Sequence, residues 1–278
     1  MNLLSEAKIK ELLAQHNIRA DKNQGQNFLT SKVALNKLLG TADLRKNDHV
    51  LEVGPGLGTI TKELAEKVKQ VTAVERDSRL VKILNQTCDL NNVEVINEDF
   101  LELDLSHFKN YKVVSSLPFN AATAIIRKIL EESTPNLMAV TVQEEVAEKI
   151  TTNPPEMTVV ASAIQFYSNP EIAGSISKQE FFPEPKVNSS ILKITDILPL
   201  NHKYRKENFN QAFFKVMKGG FAHSRKKLIN SLELELSFNK NGLKQILKKS
   251  NIEPGRRAET LTNDEWIKLT KQFIKLSS

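Results

Sequence analysis

The chain has 278 residues, 40% of them hydrophobic, which is enough to bury a core in one large domain or in a large and a small one. It has no apolar run of the roughly 20 residues that span a bilayer, no secretion signal and a single cysteine, Cys88, so we expect a cytoplasmic protein without an internal disulfide or a metal site. The net charge of +6 is unevenly divided, because residues 197–278 carry +10 and residues 1–196 carry −4, and this favours a polyanionic partner, most simply a nucleic acid.

The first half of the chain predicts strands and helices in alternation, after a short amphipathic helix around Leu3–Leu13. Strands are predicted from short runs of β-branched and other apolar residues, and helices from apolar positions three or four residues apart. The predicted strands are His49–Val53, Val71–Glu75, Val93–Ile96, Lys112–Ser116 and Leu137–Val142. The predicted helices between them are Thr59–Val68, Ser78–Gln86 and Ala121–Glu132. Such alternation is typical of a doubly wound, mainly parallel sheet.

Two further strands are predicted to complete this sheet. They follow a helix at Gln143–Thr151 and lie at Val159–Phe166 and Val187–Ile194. The segment between them, Ser168–Pro185, is rich in turn residues. With these two strands the predicted fold is an α/β domain with a seven-stranded sheet.

A linker at Asp196–Asn201 is predicted to separate this domain from a smaller one. Beyond it the apolar residues have helical spacing only, and the predicted helices are Phe209–Val216, Ser224–Leu234, Leu243–Lys249 and Asn263–Leu276. We therefore predict domains at 1–196 and at 197–278, the second of them all-α. The positive charge of the second domain favours nucleic-acid binding, although a solvated helical surface would have the same composition.

A glycine-rich loop follows the first predicted strand. Gly54, Gly56 and Gly58 have the spacing G-x-G-x-G, at the strand end where an open α/β sheet binds ligands. Glycine lets the backbone turn sharply and approach a ligand closely. The spacing differs from the G-x-G-x-x-G that seats a pyrophosphate, so it favours S-adenosylmethionine, which has no phosphate, over a dinucleotide. An ordinary tight turn between strand and helix is the alternative.

Three carboxylates accompany this loop. Glu75 ends the second predicted strand, where its oxygens can accept hydrogen bonds from both hydroxyls of the cofactor's ribose. Asp99 follows the third strand and can accept from the amine of the cofactor's adenine. Glu52 shapes the loop or holds the amino end of the cofactor. Glu75 and Asp99 could alternatively be surface acids at strand ends.

The sequence Ser116-Leu117-Pro118-Phe119 follows the fourth predicted strand and is typical of enzymes that methylate the amino group of a base. The lone pair of such an amine is delocalised into the ring. Hydrogen bonds from the amine to the Ser116 hydroxyl and the Leu117 carbonyl would localise it on nitrogen, while Pro118 fixes the turn and Phe119 stacks on the base. Catalysis would then depend on orientation and electrostatics. The alternative is a strand-ending proline turn with a core phenylalanine.

Together these motifs resemble the KsgA family of small-subunit ribosomal RNA adenine dimethyltransferases, which are relatives of the Erm ribosomal methyltransferases and of mitochondrial transcription factor B. The resemblance covers nearly the whole chain. Glu52–Gly58 matches the family's E-x-G-P-G-x-G, Gly25–Leu29 its G-Q-N-F-L, and Phe181–Ser189 its F-x-P-x-P-K-V-x-S. It implies a Rossmann-like methyltransferase that uses S-adenosylmethionine, and we expect a monomer that acts on the immature small ribosomal subunit.

The resemblance also assigns roles to residues outside the glycine loop. The arm at Gly25–Leu29 is expected to close over the cofactor through Gln26, Asn27 and Leu29, and Phe181 is expected to flank the target base. In the tail, Phe221–Leu232 and Ile252–Leu261 resemble the family's RNA-gripping helical domain. The candidate phosphate contacts are Arg225, Lys226, Lys227, Arg256 and Arg257, some of which could be merely solvated.

The chain departs from the family pattern at two places. Ser116 stands where the family usually has Asn, and the segment Thr152–Thr158 is shorter than the family's loop. Two other functions therefore stay open. One is an Erm-type enzyme acting on large-subunit RNA, and the other is a non-catalytic RNA-binding, assembly or transcription factor that retains the fold.

Overall fold

The computed structural model describes residues 3–20, 25–88, 90–236 and 238–277. The chain forms two compact units, one made of Met1–Glu148 and Asn169–Ile197 and the other of Lys149–Ser168 and Leu198–Ser278. The second unit thus includes 149–168, which the sequence-based division assigned to the first domain. The physical reason is aromatic packing, since the ring of Phe166 stacks on that of Phe213 with 3.9 Å between their centroids.

The first unit contains the seven-stranded sheet, and the fold-class prediction is confirmed. The strands are β2 (His49–Val53), β3 (Gln70–Val74), β4 (Val93–Ile96), β5 (Tyr111–Ser116), β6 (Leu137–Gln143), β7 (Asn169–Ile176) and β9 (Ser189–Thr195). Their order is β4-β3-β2-β5-β6-β9-β7. The first five are parallel, and β9 is antiparallel to both of its neighbours.

One predicted strand is wrong. Val159–Phe166 forms a helix, α7 (Val159–Gln165), and the seventh strand is β7, inside the segment interpreted as turns. A short apolar run is ambiguous between a buried helix and a strand. Here the Thr158 hydroxyl accepts a hydrogen bond from the backbone N–H of Ala161 at 2.9 Å, which starts a helix. Strand β7 lies at the sheet edge and is largely exposed, so it has no apolar pattern to reveal it.

Helices and a small second sheet complete the first unit. The helices are α1 (Glu6–Gln15), α2 (Lys32–Thr41), α3 (Thr59–Ala65), α4 (Ser78–Thr87), α5 (Ala122–Glu132) and α6 (Glu144–Thr151), whose last three residues belong to the second unit. Strand β1 (Phe28–Leu29) pairs antiparallel with β8 (Phe181–Phe182). This pair joins the arm to the F-x-P-x-P segment. Neither this pair nor α2 was among the elements predicted from the sequence.

The second unit is helical, as predicted for its C-terminal part. Besides α7 it contains α8 (Glu207–Phe221), α9 (Leu228–Leu236), α10 (Lys240–Lys249) and α11 (Asn263–Ser277). Gly220 lets α8 approach α11 closely, because a Cβ there would overlap the buried ring of Trp266. Within the described part of the chain, no helix is both long and apolar enough to pass through a bilayer.

Candidate active site

The candidate site lies between β2 and β5, where the strand order reverses. The two strands are paired from His49 and Tyr111 as far as Leu51 and Val113. Beyond that point the hydroxyl of Ser115 bridges them by donating to the carbonyl of Val53 at 2.6 Å. Divergence at the carboxyl ends of two central strands opens the crevice in which sheets of this type bind ligands.

A cavity of about 1040 Å³, its open mouth included, occupies this crevice. Eleven residues of the predicted site line it: Gln26, Asn27, Leu29, Gly54, Gly56, Glu75, Asp99, Ser116, Leu117, Pro118 and Phe119. Three others, Glu52, Gly58 and Phe181, do not line it. The fold therefore brings together the arm and the ends of β2, β3, β4 and β5.

The glycine loop forms one wall of the cavity. Gly56 has a positive φ of 58°, and a Cβ there would lie 2.9 Å from Cε1 of Phe28 in the arm. Gly58 has a φ of 88° and stands at the N-terminus of α3, packed against Leu84 and Cys88. Gly56 thus lets the arm approach the loop, and Gly58 starts the helix instead of lining the cavity.

Glu75 is buried, with a relative exposure of 6%, yet its carboxylate faces this cavity. Its Oε2 accepts the backbone N–H of Gly56 at 3.1 Å, and its Oε1 accepts that of Asp77 at 2.9 Å. Burial raises the pKa of Glu75, and these two hydrogen bonds oppose the rise. These two hydrogen bonds hold the carboxylate in place. Since each oxygen can accept more than one hydrogen bond, it can still bind a pair of hydroxyl groups.

Asp99 lies on the loop after β4 and is half-exposed. Its Oδ1 accepts the backbone N–H of Leu101 at 2.9 Å, and its Oδ2 lies 3.9 Å from Nη1 of Arg76. The side chain of Asn97 donates to the carbonyl of Glu75 at 2.7 Å, which ties this loop to the end of β3. Arg76 also lines the cavity, and sequence reasoning missed it because it belongs to no motif of its own.

The arm is attached to the start of α4. Gln26 forms a side-chain hydrogen bond with Asp77, which also accepts from the backbone N–H of Arg79 at 3.0 Å and so caps α4. Asn27 donates to the carbonyl of Gly25 at 3.2 Å. Asp77 was not predicted as a site residue, although an Asp immediately before a helix is a recognisable capping signal.

Glu52 lies beneath the glycine loop with only 1% of its surface exposed. Burial raises the pKa of Glu52 to about 8; the nearby Glu75 carboxylate also raises it, and Thr61 lowers it. Within the described residues, its Oε2 has no hydrogen-bond partner. Burial therefore favours the neutral form of Glu52, and its place in the structure favours a role in supporting the loop.

The Ser116–Phe119 segment turns away from β5 into the cavity. The backbone N–H of Leu117 donates to Thr141 of β6 at 3.1 Å, and that of Ala121 donates to the Pro118 carbonyl at 3.0 Å. The ring of Phe119 meets the edge of Phe181, with centroids 6.3 Å apart and an interplanar angle of 72°. The two predicted aromatic residues are therefore neighbours, although Phe181 is buried behind the cavity wall.

The predicted phosphate contacts lie in the second unit. The backbone N–H of Leu228 donates to the carbonyl of Arg256 at 2.7 Å, which places the exposed turn 225–227 beside 256–257. Arg257 is exposed, and its guanidinium lies 3.8 Å from Glu259. Arg256 instead points inward and bonds both carboxylate oxygens of Glu265. Four of the five candidates are thus exposed to a partner, and Arg256 has a structural ion pair.

Comparisons with known proteins agree on one family. The family model described as "Ribosomal RNA adenine dimethylase" matches residues 17–275. A protein named "Ribosomal RNA small subunit methyltransferase A" from Dehalococcoides mccartyi is 37% identical over 267 residues, which are 94% of this chain and 90% of that protein. Proteins of the same name from Alkaliphilus oremlandii and Clostridioides difficile are each 35% identical, covering 98% and 95% of this chain and 98% and 94% of their own lengths.

Solved structures show the same fold. The crystal structure of the 23S rRNA methyltransferase ErmE is 25% identical, with a TM-score of 0.70, and the match covers 88% of this chain and 99% of that one. A dimethyladenosine transferase from Plasmodium falciparum has a TM-score of 0.74 at 20% identity, covering 90% of this chain and 98% of that one. At these identities the structural matches establish the fold, and the closer sequence relatives carry the functional argument.

Proposed function

Since the chain belongs to the ribosomal RNA adenine dimethylase family, we propose that it transfers methyl groups from S-adenosylmethionine to the N6 atoms of adenosines in small-subunit ribosomal RNA. The substrate would be two adjacent adenosines near the 3′ end of that RNA, with two methyl groups added to each. The observation that carries the proposal is a single cavity that holds both the buried Glu75 carboxylate and the Ser116–Phe119 segment.

The residues around the cavity fit S-adenosylmethionine. Glu75 would accept hydrogen bonds from both ribose hydroxyls, because backbone N–H groups already hold its two oxygens. Asp99 would accept from the adenine amine through Oδ2, the oxygen that Leu101 leaves available. A Cβ at Gly54 would approach Pro118 to 3.2 Å, so the glycine keeps the space between cofactor loop and catalytic segment open. When bound, the cofactor supplies an activated methyl group on its sulfonium.

The chain itself must make the target amine reactive. Ser116 and the carbonyl of Leu117 would accept the two N–H groups of the adenine amine, which draws its lone pair away from the ring. Phe119 would stack on the base, and its edge contact with Phe181 holds the ring in place. This mechanism needs no strong base, since the amine loses its proton after methylation. It depends on the position of three acceptor and stacking groups.

The identity of the RNA is supported by the relatives. Proteins named as small-subunit methyltransferases are 35–37% identical over nearly the whole chain, whereas the 23S rRNA methyltransferase ErmE is 25% identical. The target base must leave its stack to enter the cavity, and the free-energy cost of unstacking is small in unpaired RNA loops. The exposed cations at 225–227 would hold the RNA backbone, as expected of the basic second unit.

The proposal is tested by methyl transfer in vitro. Purified protein, S-adenosylmethionine with a labelled methyl group, and immature small subunits from a strain lacking this enzyme should give label in small-subunit RNA as N6,N6-dimethyladenosine. The Glu75→Ala variant is the inactive control. Label in large-subunit RNA alone would favour the Erm-type alternative. No label, with RNA binding retained, would show a non-catalytic factor.

A further inference from the structure

A group of cations surrounds Tyr204 in the second unit, apart from every predicted RNA contact. The ammonium of Lys203 lies 5.1 Å from the centre of the Tyr204 ring. The ammonium of Lys271, on α11, lies 5.1 Å from the same ring centre and donates to the Tyr204 hydroxyl at 3.0 Å. Residues that are 67 positions apart in the chain thus place two positive charges and one hydroxyl at a single point of the surface.

The position of Tyr204 is fixed by its neighbours. Its ring stacks on that of Phe209 with centroids 4.9 Å apart. The backbone N–H of Tyr204 donates to Nδ1 of His202 at 3.3 Å. The turn is closed by the backbone N–H of Arg205, which donates to the His202 carbonyl at 2.8 Å. A ligand that meets the Tyr204 hydroxyl therefore meets a preorganised group, which reduces the entropy lost on binding.

The charges of this group are not neutralised. In the part of the chain that the structure describes, no ion pair joins Lys203 or Lys271 to a carboxylate. By contrast, Arg256 and Arg257 each have an acidic partner. Exposed cations held close together without an acid repel each other, and an anion bound between them would remove this repulsion.

The donor set selects the chemistry of the ligand. Lysine ammonium groups bind phosphate as point charges, and the Tyr204 hydroxyl can donate to a phosphate oxygen. The Tyr204 ring is already packed on Phe209, which argues against its use as a stacking platform for a base. Arg205 is directed inward, where it bonds the Leu198 carbonyl at 2.7 Å. The three remaining groups fit an oxygen of a phosphodiester.

We propose that Lys203, Tyr204 and Lys271 bind a backbone phosphate of the RNA substrate at a second anchoring site. The inference rests on the proposed function only for the identity of the partner as RNA. Glu265, which holds Arg256, lies six residues before Lys271 on α11, a rise of about 9 Å. The RNA strand would thus be held at two places, the basic turn near Arg257 and the Tyr204 group, each of which contacts α11.

The test is a salt titration of RNA binding. The double variant Lys203→Gln/Lys271→Gln is compared with Lys244→Gln/Lys249→Gln, which removes the same charge from exposed positions of α10. At about 0.1 M salt the first variant should bind a small-subunit RNA fragment about tenfold more weakly, and its slope of log affinity against log salt should be shallower by about 1, as the loss of one phosphate contact predicts. The control should weaken binding by about twofold. Tyr204→Phe should weaken it about two- to threefold.

Two accompanying measurements keep the result specific. The thermal midpoint of unfolding and the affinity for S-adenosylhomocysteine should be unchanged in Lys203→Gln/Lys271→Gln, because both side chains are exposed and outside the cavity. A salt slope equal to that of the Lys244→Gln/Lys249→Gln control would overturn the inference. Absence of methyl transfer by the unmodified protein would refute the proposed function, while the salt slopes would still decide this site.

Discussion

The cavity of the first unit and the basic segments of the second unit hold their candidate functional groups in opposite ways. In the cavity, Glu75 is buried, and two backbone N–H groups fix its carboxylate. In the basic segments, Arg225, Lys226 and Lys227 are exposed on a turn. Arg256, from the same motif as Arg257, is turned inward onto Glu265.

This difference shows what a motif can predict in each setting. A buried, ionised carboxylate needs specific donors, and those of Glu75 come from the glycine loop and from the backbone two residues beyond it. An exposed cation acts through its charge, so many neighbouring positions could serve equally well. Motifs therefore predict the cavity residue by residue, whereas in the tail they predict a region.

The largest expected effect is in the cavity. Glu75→Ala should abolish cofactor binding, because it removes the two charge-assisted hydrogen bonds from the ribose hydroxyls, worth roughly 1.5–3 kcal/mol each. Titration calorimetry with S-adenosylhomocysteine should show at least a hundredfold loss of affinity. Glu75→Gln, which keeps the size and one acceptor oxygen, should lose less. Unchanged affinity in Glu75→Ala would remove Glu75 from the cofactor site.

The next effect concerns the buried acid beneath the loop. The pKa of Glu52 is raised from 4.5 to about 8 in the folded protein, so the fold favours its neutral form. Above the unfolded pKa, the unfolded chain releases this proton and the folded protein keeps it. The free energy of unfolding should therefore fall as the pH rises from about 4.5 to about 8. Above about pH 8, where Glu52 is ionised in both states, it should stay constant.

Glu52→Gln should remove much of this decline, on the order of 2–4 kcal/mol across the interval. Urea unfolding between pH 5 and 8, without cofactor, measures it. A residual decline is expected, because burial also raises the pKa of Glu75. Glu66→Gln, at an exposed position after α3, controls for the loss of one negative charge. Equal pH dependence in Glu52→Gln and in the unmodified protein would show that Glu52 is ionised in the fold.

A smaller effect separates the two arginines of the tail motif. Arg256→Ala should lower the free energy of unfolding by about 1–2 kcal/mol, since it leaves Glu265 partly buried without its partner. Arg257→Ala should change stability by less than about 0.5 kcal/mol and weaken RNA binding a few-fold. Urea unfolding and RNA titration of both variants measure this. The reverse pattern would mean that Arg256, not Arg257, contacts RNA.

The smallest effect is expected at the catalytic segment. Ser116→Asn restores the residue usual in the family and should maintain or raise the rate of methyl transfer, by no more than a few-fold. Its longer side chain would reach the target amine from the end of β5. Single-turnover transfer of labelled methyl groups to immature small subunits measures the rate. A clear loss would show that the cavity is adapted to serine.

Most of the sheet could be predicted because its central strands are buried on both faces. Each one reads as a short apolar run, and β2 has the predicted bounds. The edge strand β7 could not be predicted, since most of its residues face solvent. The two-residue strands β1 and β8 exist only because they pair with each other, Phe28 with Phe182 and Leu29 with Phe181, across more than 150 positions of the chain.

The sequence alone determined the local parts of this protein, namely the glycine loop after β2, the carboxylate at the end of β3 and the Ser116–Phe119 turn after β5. These follow from residues a few positions apart, whose backbone preferences act directly. Only the tertiary structure decided that Phe181 meets Phe119, that Arg256 faces Glu265 and that Lys271 reaches Tyr204. Such contacts join distant segments, and they depend on how helices and strands pack, which no local pattern specifies.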